Sequence, residues 1–148
     1  MDDLTLIIPA KNEKESLPLV LDELKKYKLK IIIILEKNDI DTINSLKGYD
    51  CEILYQINKG YGDALIQGIN NVKTKYFCIF NADGSFNPSE LNNMYKKINE
   101  NNLDVIFASR YEKNCSSEDD TFITYIGNFL FTKIGNIFFG LRTFFLLE

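Results

Sequence analysis

Residues 30–35 read Lys30-Ile31-Ile32-Ile33-Ile34-Leu35, an unbroken apolar, mostly β-branched run that ends at the acid Glu36. A run with no polar alternation suits a strand buried on both faces. Both faces are covered only when helices pack on each side of a parallel sheet. Working outward, residues 4–8, 52–55, 76–80 and 104–108 are the other short apolar runs bounded by turn residues, and each reads as a strand. Helical patterns separate them. Leu17, Val20, Leu21 and Leu24 recur at helical spacing behind Asn12-Glu13-Lys14-Glu15. There Asn12 reads as the cap and Glu15 as its capping-box partner. Pro18 is tolerated only if that helix begins near Ser16. Residues 39–46 form a short helix, and 63–72 a longer one with Ala64, Leu65, Ile69 and Val72 inward. A helix opened by Pro88 runs to about residue 100, with Leu91, Met94, Tyr95 and Ile98 on one face. Strand and helix alternate, so the fold class is α/β with a mostly parallel sheet flanked by helices.

Composition narrows the chemistry. The chain has 148 residues, 45% hydrophobic and 26% charged, which fits a soluble globular domain with a real core. The formal net charge of −4 argues against a nucleic-acid partner, which calls for a basic face. The absence of histidine removes Ser-His-Asp hydrolysis, Cys-His proteolysis and His-ligated zinc. Cys51, Cys78 and Cys115 form no CxxC pair and read as reduced thiols of a cytoplasmic protein. No signal-type apolar stretch follows Met1-Asp2-Asp3. Residues 1–120 are expected to form the α/β domain, and 121–148 an apolar helical segment. Lys133, near the centre of that segment, argues against a spanning helix. The segment reads either as a core helix lacking its packing partner or as an interfacial helix lying on a membrane.

In an open parallel sheet, ligands bind beyond the carboxyl ends of the strands, where the strand order reverses. Every polar motif of the chain follows a predicted strand. Pro9-Ala10-Lys11-Asn12-Glu13 follows the first, Glu36-Lys37-Asn38-Asp39 the second, and Asn58-Lys59-Gly60-Tyr61-Gly62 the third. Asn81-Ala82-Asp83-Gly84-Ser85 follows the fourth, and Ser109-Arg110-Tyr111 the fifth. The Lys59–Gly62 turn lets backbone approach a phosphate at a helix start, or is simply a tight turn with its lysine in solvent. As a dinucleotide fingerprint it is incomplete, because Leu65 stands where GxGxxG needs its last glycine. Asn81-Ala82-Asp83 resembles the D-x-D element that holds a divalent ion against a diphosphate, with Asp83 the metal candidate for Mg²⁺ or Mn²⁺. An Asp-Gly turn followed by an Asn87 cap explains the same residues without a metal. Arg110 offers a planar fork suited to phosphate, or a surface partner for Asp119 or Asp120.

Taken in order, Leu6–Glu13 (LIIPAKNE), Lys59–Leu65 (KGYGDAL), Phe80–Gly84 (FNADG), Pro88–Leu91 (PSEL) and Ala108–Tyr111 (ASRY) resemble glycosyltransferase family 2. Within it, the resemblance is to the polyprenyl-phosphate sugar synthases typified by dolichyl-phosphate mannose synthase, and it covers nearly the whole chain from Leu4 to about Gly140. It implies a GT-A type, Rossmann-like fold and transfer of a sugar from a nucleoside-diphosphate sugar. The implied acceptor is a polyprenyl phosphate, with Mg²⁺ or Mn²⁺ as cofactor. It assigns Pro9, Ala10, Glu13, Glu36, Lys59, Gly62, Asn81 and Asp83 to the nucleotide sugar, Asp83 to the metal, and Arg110 with Asp83 to catalysis. It also implies that 122–139 is an amphipathic segment in peripheral contact with the inner face of a membrane. Asn81 stands where the family has its first metal-motif acid, and Leu35–Asp39 only partly matches the family's V-D-D-G-S element. The residues after Gly140 do not match the family pattern, so a C-terminal truncation is expected. A truncated or decayed, non-catalytic nucleotide-binding module of the same fold is the alternative.

Overall fold

The structure is a computed structural model and describes residues 1–108 and 122–140. The order of elements is β1 (Leu4–Pro9), α1 (Ser16–Leu24), a 3₁₀ turn (Lys25–Tyr27), β2 (Lys30–Leu35), α2 (Ile40–Ser45) and β3 (Glu52–Tyr55). Then follow α3 (Tyr61–Asn70), β4 (Tyr76–Ile79), α4 (Glu90–Glu100) and α5 (Phe122–Phe139). The chain divides into two compact units, Met1–Lys97 and Ile98–Glu148.

In the first unit the strands form one sheet in the order β3-β2-β1-β4. All three pairings are parallel. Alternate residues of the two central strands feed two cores. Leu6, Ile8, Ile33 and Leu35 pack with Leu17, Val20, Leu21, Leu24, Leu46 and Leu91, so α1, α2 and α4 cover that face. Ile7, Ile32 and Ile34 pack with Ala64 of α3 on the other. Leu6, Ile7, Ile8, Ile33, Ile34 and Leu35 are fully buried, as the unbroken run of residues 30–35 requires. The strand order reverses at β1, because β2 and β3 lie to one side and β4 to the other.

Three expectations are corrected. First, residues 104–108 form no strand; Phe107 is 80% exposed and Val105 60%. A short apolar, β-branched run records a β-propensity, but a strand exists only where a neighbour's edge accepts its hydrogen bonds. Second, Asn12 does not cap α1. It sits in the left-handed region at φ 59°, and Glu15 holds the cap position with no side-chain cap bond. Asn tolerates that conformation better than most residues, and the helix instead starts with Leu17 N–H donating to the Glu13 carbonyl at 3.0 Å. Pro18 then falls in the first turn, where its missing N–H costs nothing. Third, the inward residue of α3 beside Ala64 is Gly68, while Ile69 is 37% exposed. A Cβ at position 68 would lie 2.5 Å from Ile7 Cγ2 and 3.0 Å from Ile34 Cδ1. Only glycine lets the helix backbone come this close to β1 and β2.

In the second unit, α5 exposes Phe129, Leu130, Phe131, Ile134, Ile137 and Phe138, while Thr132 is buried. Lys133 Nζ stands 5.4 Å from the centroid of the Phe129 ring, one helical turn away. Among the described residues no helix is long and apolar enough to cross a membrane.

Gly68→Ala is expected to lower unfolding free energy by about 1–3 kcal/mol through overpacking against Ile7 and Ile34. Gly62→Ala, with nothing within 4 Å of the added methyl, is expected to be neutral or slightly stabilising. Urea denaturation of the two variants checks both; equal midpoints would contradict the close approach.

Candidate functional site

The strand ends carry the site. Beyond β1, Ala10 N–H donates to the Ile34 carbonyl at 3.0 Å, and beyond β3, Gln56 N–H donates to the Leu35 carbonyl at 2.8 Å. The sheet's hydrogen-bonding therefore continues one residue past each strand and fixes where the loops leave. The loops enclose an open cleft of about 620 Å³. Pro9, Ala10, Lys11 and Glu13 line it from the β1 side and Ile34 and Glu36 from β2. Gln56, Gly60, Tyr61 and Ala64 close it from β3 and α3, and Asn81, Ala82 and Asp83 from β4.

Six of the residues singled out from sequence therefore meet at one opening: Pro9, Ala10, Glu13, Glu36, Asn81 and Asp83. Lys59 and Gly62 do not line it; the turn between them contributes Gly60 and Tyr61 instead. Gly60 adopts φ 110°, a conformation L side chains rarely reach, and its carbonyl accepts from Gln56 Nε2 at 2.8 Å. Arg110 lies outside the described residues. Lys11, Gln56 and Tyr61 were not singled out for the site. Gln56 had a signal available, since it is the first polar residue after β3 and strand ends are where ligands sit.

Each wall is held locally. Glu13 accepts a hydrogen bond from the Ser16 hydroxyl through Oε2, and its amide donates to Thr42 Oγ1 at 3.0 Å. Asn81 Nδ2 donates to Ser85 Oγ at 3.0 Å, and Ser85 N–H donates to Asp83 Oδ1 at 2.9 Å. The bond from Ser85 to Asp83 is an Asx turn, and Asn81 and Asp83 both line the cleft. Asn87 Oδ1 accepts from Ser89 N–H at 3.0 Å just before α4, which begins at Glu90, two residues after Pro88. On the β3 side, Asp63 accepts from the Asn58 amide at 3.1 Å and from Asn58 Nδ2 at 3.0 Å.

The electrostatics are lopsided. Among the described residues the lining holds the carboxylates of Glu13, Glu36 and Asp83 against the single ammonium of Lys11. Lys11 Nζ donates to Glu36 Oε1 at 2.8 Å. That hydrogen bond, and then the charge of Glu36, raise the Lys11 pKa above its ordinary value of 10.5. The sign follows: a raised cation favours folding fully below 10.5 and loses that contribution only as pH climbs through the higher folded value. The pair is therefore intact throughout the neutral range. Cys78, on β4, has its thiol pushed up to about 11 by burial, and Cys51 is raised for the same reason. Neither supplies a thiolate near neutral pH.

Fold and cleft together define an α/β domain of the GT-A, Rossmann-like kind, with its cleft at the carboxyl edge of a parallel sheet. The model of the family described as Glycosyl transferase family 2 matches residues 5–146, and the chain belongs to that family. It is 26% identical over 133 residues to an uncharacterized protein of Methanocaldococcus jannaschii, covering 86% of this chain and 55% of that one. It is 31% identical over 115 residues to an uncharacterized glycosyltransferase of Rickettsia prowazekii, covering 74% of this chain and 36% of that one. With the glycosyltransferase GlyA of Streptococcus pneumoniae it shares 28% identity over 141 residues, 90% of this chain and 20% of that protein. The chain thus spans about half, or less, of the length of the curated relatives it matches.

Glu36→Gln is expected to return the Lys11 pKa toward 10.5. An NMR titration of the Lys11 ammonium in both proteins checks this; a wild-type midpoint at the ordinary lysine value would contradict the pairing.

Proposed function

We propose that the cleft binds a nucleoside-diphosphate sugar together with Mg²⁺ or Mn²⁺ and that the protein transfers the sugar to an acceptor, a polyprenyl phosphate. The observation that carries the reading is the convergence of Pro9, Ala10, Glu13, Glu36, Asn81 and Asp83 on one opening in a chain of glycosyl transferase family 2.

The lining charge supports the cation. A diphosphate is itself multiply anionic, and among the described residues the lining offers it three carboxylates and one lysine, so a positive charge that enters with it favours binding. Among the described residues no group of three Asp, Glu, Cys or His stands ready to hold a metal alone. The residues present fit an ion shared with the ligand. Asp83 supplies a carboxylate and Asn81 an amide oxygen, both hard donors that suit Mg²⁺ or Mn²⁺, with phosphate oxygens and water completing the shell. The ion's chemistry when bound is to offset charge on the departing diphosphate. Glu13 and Glu36 line the cleft from the β1 and β2 sides, and in this reading they accept hydrogen bonds from ribose or base. A phosphate acceptor is already anionic and needs no strong general base, in keeping with a chain that has no histidine. Arg110 is assigned by the resemblance to the phosphates. The exposed phenylalanines of α5, with Lys133 among them, suit contact with an anionic bilayer surface.

Asn81 motivates a second reading. It carries no charge and its amide is engaged with Ser85, so a module that binds nucleotide without transferring sugar fits the same cleft.

Calorimetry with UDP and with GDP, each with Mn²⁺, tests the proposal. One of them is expected to bind, with affinity falling about ten- to a hundredfold in Asp83→Ala. Failure of both to bind overturns it. Binding without transfer to a polyprenyl phosphate selects the second reading. Flotation with anionic liposomes tests the membrane contact. The protein is expected to float and Phe129→Asp to reduce the floating fraction; wild-type protein left in the aqueous layer contradicts that contact.

A further inference from the structure

The loop that brings Lys11 and Glu13 to the cleft is tied at every residue to the segment after β2. Lys11 pairs with Glu36 at 2.8 Å, Asn12 N–H donates to Asp39 Oδ2 at 2.7 Å, and Glu13 N–H donates to Thr42 Oγ1 at 3.0 Å. Lys14 Nζ reaches Asp41 Oδ2 at 3.4 Å. Asn12 supplies the kink, since its φ of 59° turns the chain so that Lys11 and Glu13 line the cleft. Asn12 and Lys14 line a second concavity behind it, against Asp39, Asp41 and Thr42. A non-glycine residue in that region persists only where its surroundings hold it.

The ties differ in weight. The two lysine pairs are exposed and contribute little to holding the loop. Thr42 is different: it is 0% exposed, and its β-branched side chain is stiff at χ1, so burial and few rotamers together hold its hydroxyl where the Glu13 amide meets it. Asp39 ties the backbone of the same residue to the loop. Its Oδ1 accepts from Thr42 N–H at 3.3 Å, capping α2, while its Oδ2 takes the Asn12 amide. Cap, kink and cleft residue are one hydrogen-bonded unit.

We propose that Thr42 and Asp39 are positioning residues for donor binding: they lock the kinked loop so that Glu13 and Lys11 stand in the cleft before ligand arrives. The inference rests on the reading of the cleft as the donor site. Neither residue lines the cleft, and both act through residues that do. Removing the Thr42 hydroxyl strands the Glu13 amide without its acceptor, and the cost of an unpaired part-buried N–H favours release of the loop.

Thr42→Val, Thr42→Ser and Asp39→Ala, each in the full chain, test the proposal with two readouts. Amide hydrogen exchange followed by NMR is expected to speed up roughly tenfold at Glu13 in Thr42→Val, with Ile7 and Ile33 still protected and Thr42→Ser within about twofold of wild type. Asp39→Ala is expected to do the same at Asn12, and it carries the test if the valine variant does not fold. The Kd for UDP or GDP with Mn²⁺ is expected to rise about tenfold in Thr42→Val and Asp39→Ala and to be rescued in Thr42→Ser. Unchanged exchange at Glu13 and Asn12, or a serine variant as impaired as the valine, overturns the lock. Faster exchange with unaltered Kd overturns its role in binding. A wild-type protein that binds neither nucleotide overturns the donor-site reading and the binding role with it, while exchange still decides whether the lock exists.

Discussion

Parallel pairing of β1 between β2 and β4 is the constraint on which the rest depends. Because both neighbours run in the same direction as β1, three chain segments leave the sheet at the same edge, and β3 adds a fourth. The pairing is enforced by burial, since Leu6, Ile7 and Ile8 face cores on opposite sides with no exposed surface. A one-residue slip would exchange the two faces, sending the side chains now under α1 against α3 and the reverse. Gly68 adds a steric demand, because α3 fits only where Ile7 and Ile34 meet a bare backbone. The cleft is thus a consequence of register, and its polar residues are held by the apolar ones beneath them.

From that edge outward the site is assembled by short-range polar contacts, and its two sides are built differently. The Asn81–Ser85 and Asn58–Asp63 loops close on themselves, each through side chains of its own segment. The Lys11–Lys14 loop depends on another segment, the one that follows β2. The first kind keeps its shape by local turn chemistry, and the second only while β1 and β2 stay paired. Among the described residues the lining of the cleft carries the carboxylates of Glu13, Glu36 and Asp83 and the ammonium of Lys11. The proposed ligand, a diphosphate with its cation, would bring positive charge to that lining.

Much of this was legible in the sequence. The doubly buried run of residues 30–35 announced a covered parallel sheet, and the polar segment after each strand announced the face of the cleft. What was not legible turned on partners that a linear reading does not display. Residues 104–108 are a strand-like apolar run but pair with no strand among the described residues. Asn12 looks like a cap because Asn caps helices, yet it is left-handed and its amide donates to Asp39, distant in sequence. Ile69 looked like the core residue of α3, but the sheet is too close there for anything except Gly68. Thr42 gave no signal at all, since a lone threonine in a polar helix start reads as surface and is in fact fully buried.

The central claim is that separate strand ends build one site for a diphosphate and its cation. Paramagnetic broadening by Mn²⁺, added with UDP or GDP to isotopically labelled protein, tests it most directly. The account predicts that amides of Ala82 and Asp83 broaden first and those of Ala10 and Glu13 next, only when nucleotide is present. Broadening centred on Asp39 and Asp41, or spread evenly over the surface carboxylates, would contradict it.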